Sequence, residues 1–288
     1  MKDKKIKAIF TITTIILIVS IGILVRNIFG NENKEVNVAK DFIQDLADKD
    51  IIDYYDKGYE IDKKDAVNKL ANKDSQIRYS VLVGNYGVDV DNNYNILGFS
   101  NKSISNKSKD LKVEYNLTDA EVIDEKKAID YGTKYIKEIS EDEFIFKEIK
   151  NKDGEENPYY IVVFYKCKNG YPIYKQEITT LIDKVSWKLQ GYSNYILENK
   201  ECLKDIKVNE KDVINIVLDN FKDLNLIKED IKDINLYYVE TEKDKLVLSY
   251  ILNIKNEKKE GIDESYLVII RADNGEIINS NLETMKKN

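Results

Sequence analysis

Ala8 to Val25, AIFTITTIILIVSIGILV, runs for eighteen residues without a charge. At about 1.5 Å per residue, such a run covers most of a hydrocarbon core ~30 Å thick, so it reads as a transmembrane helix over residues 8–25. The basic start Met1-Lys2-Asp3-Lys4-Lys5-Ile6-Lys7 precedes it and Arg26 follows. Flanking lysines stay on the cytoplasmic side, which makes 1–7 a cytoplasmic tail and puts 27–288 outside. The expected localisation is the cell membrane, single-pass, with the bulk of the chain extracytoplasmic. Ser20-Ile21-Gly22 is a crude cleavage site, but Ile23, Leu24 and Val25 carry the apolar run past it, which favours an uncleaved anchor over a signal peptide. No cysteine stands near the segment's end, so a lipoprotein anchor is excluded. Ala8, Thr11 and Thr14 lie at helical spacing. Small and hydroxyl side chains let a second helix approach, so Thr11 and Thr14 are candidate contacts, although threonine also tolerates lipid without a partner.

Charge narrows what the outer part can bind. Residues 1–26 hold four lysines and one arginine against Asp3, a net of +4; the whole chain is −7, leaving about −11 outside. Nucleic acid and anionic lipid both require clustered positive charge, so neither is an expected ligand of the ectodomain. The chain contains no histidine. That excludes Ser-His-Asp and Cys-His catalysis, HExxH zinc sites and histidine-based pH sensing. Cys167 and Cys202 are the only cysteines. A bridge between them would close a loop of about 35 residues worth ~3 kcal/mol. Two separate buried thiols are the alternative, and geometry decides between them.

One local pattern occurs three times: Ile61-Asp62-Lys63-Lys64-Asp65-Ala66-Val67, Ile123-Asp124-Glu125-Lys126-Lys127-Ala128-Ile129 and Val208-Asn209-Glu210-Lys211-Asp212-Val213-Ile214. Each reads as a helix start, with Asp62, Asp124 and Asn209 as N-caps and the preceding β-branched residue as a staple. The second and third copies stay aligned at an offset of 85, through Ile129/Ile214, Ile136/Phe221 and Ile139/Leu224. An earlier helix places Val38, Phe42, Ile43 and Leu46 on one face. Alternating apolar and polar residues follow each helix, with turns at Asn169-Gly170 and Asp273-Asn274-Gly275. The expected fold is α+β: one N-terminal transmembrane helix, then repeated units of a helix plus an antiparallel meander. Their expected limits are 36–110, 117–198 and 207–282, with the polar stretch Asn101 to Asp110 as a linker.

Val208–Asn281, ending in Tyr266-Leu267-Val268-Ile269-Ile270-Arg271-Ala272-Asp273-Asn274-Gly275-Glu276-Ile277, resembles the PepSY repeat. Residues 123–195, with Lys168-Asn169-Gly170-Tyr171-Pro172-Ile173-Tyr174 at the central turn, resemble the related module of thermolysin-type propeptides. The layout as a whole is similar to the YycH/YycI family of Gram-positive two-component system regulators, and to YycI in particular. That resemblance implies binding to a sensor histidine kinase of the cell envelope through extracellular and transmembrane contacts. It offers no catalytic residue and no cofactor.

The residues add little chemistry of their own. Glu155-Glu156 and Glu141-Asp142-Glu143 read as solvated surface. Asp89-Val90-Asp91-Asn92-Asn93-Tyr94-Asn95 imitates the start of a calcium loop, but it lacks the glycine at the sixth position and has Ser100 at the twelfth, so it reads as a hairpin turn. No catalytic residue, cofactor or metal ligand is expected. Tyrosines crowd the second unit, and Tyr171, Tyr174, Trp187 and Tyr192 are candidates to line a groove for an extended partner strand. The plainer reading is that tyrosine suits half-buried strands. The sequence therefore reads as a non-catalytic regulator with a protein partner, either a sensor kinase or, in PepSY fashion, an extracytoplasmic peptidase. An envelope-assembly module is a further alternative.

Overall fold

The structure is a computed structural model, and it describes residues 34–53, 63–65, 76–103, 124–150, 158–194, 200–241, 245–255 and 265–280. Thr11, Thr14 and the whole of 8–25 lie outside the described residues. The chain divides into two compact units, residues 1–119 with 188–192, and residues 120–187 with 193–288.

In the first unit, helix α1 (Lys34–Asp48) buries Val36, Ala39, Ile43 and Leu46, the stripe that a 3.6-residue period lays on one face. Strands β1 (Lys63–Asp65), β2 (Tyr79–Val83), β3 (Tyr86–Val90) and β4 (Ile96–Asn101) pair antiparallel in sequence order, and β8 (Leu189–Asn194) lies next to β4. Val81, Val83, Tyr86, Val88, Val90 and Phe99 form the buried face. Phe99 meets Phe42 and Tyr86 edge-on, with ring centroids 5.7 and 6.0 Å apart. The stretch that imitates a calcium loop is a turn: Asp91 Oδ1 accepts from the backbone N–H of Asn93 and Asn95 at 2.8 and 2.7 Å.

In the second unit, α2 (Glu125–Ile139) starts at Asp124, whose carboxylate accepts from Lys127 N at 2.9 Å. Gly132 occurs in this helix because a Cβ there would come within 3.1 Å of the Phe164 ring. Strands β5 (Glu143–Lys150), β6 (Tyr159–Lys168) and β7 (Tyr171–Asp183) follow, all antiparallel. The β6–β7 turn has positive φ at both Asn169 and Gly170, as a two-residue hairpin of that composition requires. Helix α3 (Glu210–Asn220) is closed by a reciprocal capping box between Asn209 and Asp212. After it, β10 (Ile231–Glu240), β11 (Leu246–Lys255), β12 (Ser265–Arg271) and β13 (Ile277–Ser280) form an antiparallel run. Val213 and Val217 of α3, and Phe221 at its C-terminal cap, pack on Tyr250, Leu252, Ile254, Tyr266, Val268 and Ile270.

The expected fold class requires correction. Among the described residues there are three α-helices against thirteen strands, and the sheet is mixed. Strand β7 pairs parallel with β10 at Ile173↔Tyr238, and the two-residue β9 (Cys202–Leu203) pairs parallel with β11. The structure is therefore predominantly sheet, and its strands extend beyond self-contained antiparallel meanders. No described helix is long and apolar enough to cross a membrane. The first of the three helix-start motifs also folds differently, since Lys63–Asp65 is a strand on β2. The reason is tertiary: the outer edge of β2 offers ladder hydrogen bonds, which outweigh a weak local helix preference.

Candidate functional site

Alternation along β10 decides which face each side chain takes. Tyr238 and Leu236 stand opposite Leu248 and Tyr250, on the face that α3 and its neighbours bury. Tyr237 and Val239 therefore point to the opposite face, together with Ile251 and Ile269. Tyr174, Leu267 and Ile278 pack around them, partly buried. On β6, Phe164 lies against α2, so its neighbour Tyr165 also faces the other way. Tyr237 holds the tyrosines together, with its ring edge-on to Tyr165 at 5.4 Å and to Tyr174 at 6.2 Å. The result is one half-buried surface of three tyrosines leading into aliphatic side chains.

Charge borders this surface on the β5 side. Lys147 Nζ lies 2.6 Å from Glu177 Oε1 and 5.0 Å from the Tyr165 ring centre. Lys150 approaches the second Glu177 oxygen at 3.5 Å. Burial pulls the Lys147 ammonium down, but the hydrogen bonds to Glu177 and Glu148 and the neighbouring Tyr165 and Glu177 together outweigh it, and the net shift is upward. Glu177 moves the other way: burial opposes ionisation, and the bonds and charges of Lys147 and Lys150 together overcome it and lower the carboxyl. Both groups are charged at neutral pH. The Tyr237 hydroxyl is pushed up to about 12 by burial and by its hydrogen bond with Tyr165, so it remains a neutral donor or acceptor. Neutral hydroxyls on rigid rings, beside fixed charges of both signs, suit recognition of a protein surface.

The four described aromatics singled out in the sequence are separated by the fold. Tyr174 belongs to the open face. Tyr171 packs on Tyr238 and Ile173, toward the opposite side of β7. Trp187 stacks on Tyr131 and Tyr160 at 5.4 and 5.5 Å under Lys127 Nζ, and its carbonyl accepts from Tyr135 Oη at 2.6 Å. Tyr192 is buried in the first unit. Tyr237, Lys147 and Glu177 are contributors that sequence reasoning missed. The pair Tyr237-Tyr238 was the available signal, because in a strand only one of two adjacent tyrosines can lie beneath a helix.

A polar cluster lies on the helix-bearing side. Lys166 is 2% exposed, and its ammonium meets Asp142 Oδ2 at 3.0 Å. The same oxygen accepts from Asn194 Nδ2 and Ser140 Oγ, each at 2.8 Å. Burial lowers the Lys166 pKa despite the carboxylate beside it. For Asp142 burial is overcome by the Asn194 bond, then by the Lys166 charge and the Ser140 bond, and the carboxyl is lowered. Its three donors converge on one oxygen, tying the end of α2 to β6 and to Asn194 within the second unit, which is the work of a fastener. Cys167 and Cys202 are free thiols, and burial pushes Cys167 up to about 11.

Among the solved structures that resemble the chain are two at low identity. One is the Bacillus megaterium YpeB C-terminal domain, at 14% identity and a TM-score of 0.49, covering 87% of this chain and 96% of that one. The other is an uncharacterized protein from Eubacterium rectale ATCC 33656, at 13% identity and a TM-score of 0.34, covering 86% and 83%. At these values the likeness carries no argument about function. No family model matches the chain, and no curated protein matches it.

Proposed function

We propose that this protein is a non-catalytic, extracytoplasmic binding module of PepSY type that regulates a protein partner, and that the partner is a sensor histidine kinase of the cell envelope. The observation that supports this most is the Tyr165–Tyr174–Tyr237 face, a rigid aromatic surface bordered by Lys147, Lys150 and Glu177. A chain without histidine has few routes to general acid–base chemistry, which supports a binding role. A photo-crosslinking amino acid at position 174, in the full chain expressed in its native cells, tests the reading; the same substitution at the buried Tyr238 serves as control. A sensor kinase joined at 174 and not at 238 is the expected result. A peptidase joined there instead would make restraint of an extracytoplasmic peptidase the function, and no product specific to position 174 would overturn both.

A further inference from the structure

Strand β5 is the outer strand of its sheet: among the described residues it pairs with β6 alone. It has eight residues, where the edge strands β1 and β13 have three and four. Its adjacent Ile145 and Phe146 are 45% and 41% exposed. A long edge with bare apolar side chains is a template for another strand.

The bulge in β5 determines which strand fits. Its register with β6 runs from Glu143↔Cys167 to Phe146↔Phe164, skips Lys147, and resumes from Glu148↔Val163 to Lys150↔Ile161. Glu143, Ile145, Glu148 and Lys150 therefore share one face, and Phe144, Phe146 and Ile149 share the other. Ring contacts agree, since Phe144 and Phe146 both meet Phe164, at 5.4 and 6.0 Å. A regular strand laid along this edge has no residue to set against Lys147 and loses register there. A second β5 does carry that residue. Turned end for end about a two-fold axis between Phe146 and Lys147, it sets Glu143 against Lys150, Phe144 against Ile149 and Ile145 against Glu148. Each of these three pairs falls on a common face; at the axis itself Phe146 stands against Lys147, and the two point to opposite faces. In a strand without the bulge, Glu143 and Lys150 would point to opposite faces and the same pairing would be impossible.

We propose that β5 is a self-association edge, on which two copies of this chain join by antiparallel β5–β5 pairing. Opposite charges meet at both ends and apolar side chains meet on the helix-bearing face, the two combinations that stabilise cross-strand neighbours. The two copies of Lys147 do not collide, because each is already turned onto Glu177 and the Tyr165 ring of its own chain. The proposal does not rest on the regulatory reading, since assembly and partner capture are measured separately.

The test uses the full chain. Glu143→Cys and Lys150→Cys are made in separate copies with different tags, co-expressed and oxidised. Both carry Cys167→Ser, because Cys167 stands opposite position 143 on β6 of the same chain; Cys167→Ser alone, treated alike, sets the background from Cys202. A disulfide-linked species carrying both tags is expected, at twice the 33.5 kDa chain mass. Neither variant alone should give it, because the two copies of position 143 lie at opposite ends of the paired strands. Adding Phe146→Lys should cut the yield about tenfold, as lysines are then driven together at the two-fold axis. If that variant fails to fold by circular dichroism, Ile145→Glu on the opposite face makes the same test, since it sets a second carboxylate against Glu148 of the other copy. Absence of the two-tag product, or equal product from either variant alone, would overturn the proposal.

Discussion

The regions around α2 and α3 begin alike and diverge in what their helices cover. Asp124 and Asn209, 85 residues apart, cap the two helices with the same kind of side-chain bond. Beneath α3 the core is aliphatic and aromatic, and the hydroxyl of its Tyr250 reaches the Val208 carbonyl at 2.9 Å. The α2 region buries Thr180 and the Lys166–Asp142–Asn194 cluster, and it carries the Trp187 stack and Tyr165. A capped helix on a sheet is thus the common scaffold. Polar and aromatic groups are added to one copy while the other supplies stability.

If that contrast holds, the largest loss should come from the apolar copy. Leu252 is fully buried beneath α3, and Leu252→Ala should cost about 2–5 kcal/mol of unfolding free energy in urea titrations. A loss below about 1 kcal/mol would mean that this core is not the stabilising one.

The polar cluster makes a sharper contrast, because its two halves should behave differently. Asp142→Ala takes the carboxylate away from the buried Lys166 ammonium and should cost about 3 kcal/mol, at the low end for breaking a buried pair because the Asp142 side chain is 36% exposed. Lys166→Met removes the charge that needs a partner and should change stability by less than about 1 kcal/mol. The pH dependence gives an independent reading. The Asp142 carboxyl lies below its ordinary 3.8 in the folded state, so its contribution is complete above that pH and is lost as pH falls through the folded value. The acid limb of the wild-type stability curve should flatten in Asp142→Asn. Equal slopes would place the acid sensitivity elsewhere.

Smaller again are the caps. Asp124→Ala and Asn209→Ala should each cost about 1 kcal/mol, by leaving a first-turn N–H without its acceptor. These caps also show what was legible in the sequence. Both were readable because capping is a local bond between residues three apart. The Asn169-Gly170 hairpin was readable for a similar reason, its backbone signs being set by two residues. What escaped was every feature made by distant partners. Lys63–Asp65 took a strand because β2 offered an edge, and β7 reached β10 in parallel across some sixty residues. The aromatic site was half legible. The sequence showed that the second unit is rich in tyrosine, but the face each ring takes depends on registers and bulges that no short window contains. Tyr174 therefore came to the open face, while Tyr171 and Trp187 went to separate packing sites.

The smallest expected effect falls on the open face itself. Lys147 and Glu177 are 24% and 28% exposed in their side chains, so water and salt reach the pair and its contribution should stay within about 1 kcal/mol. Glu177→Gln should leave the urea midpoint nearly unchanged, and what little it removes should shrink further at high salt. Because the Glu177 carboxyl is lowered from 4.5 in the fold, that contribution is present at neutral pH and is lost in acid. The near-silence of this variant is what makes it useful. If these charges, fixed at 2.6 Å beside three clustered tyrosines, hold no structure together, the proposed partner contact is the role left to test for them. Photo-crosslinking from position 174 should therefore fall in Glu177→Gln while the fold persists. Unchanged crosslinking would remove this border from the site and leave the tyrosines to act alone.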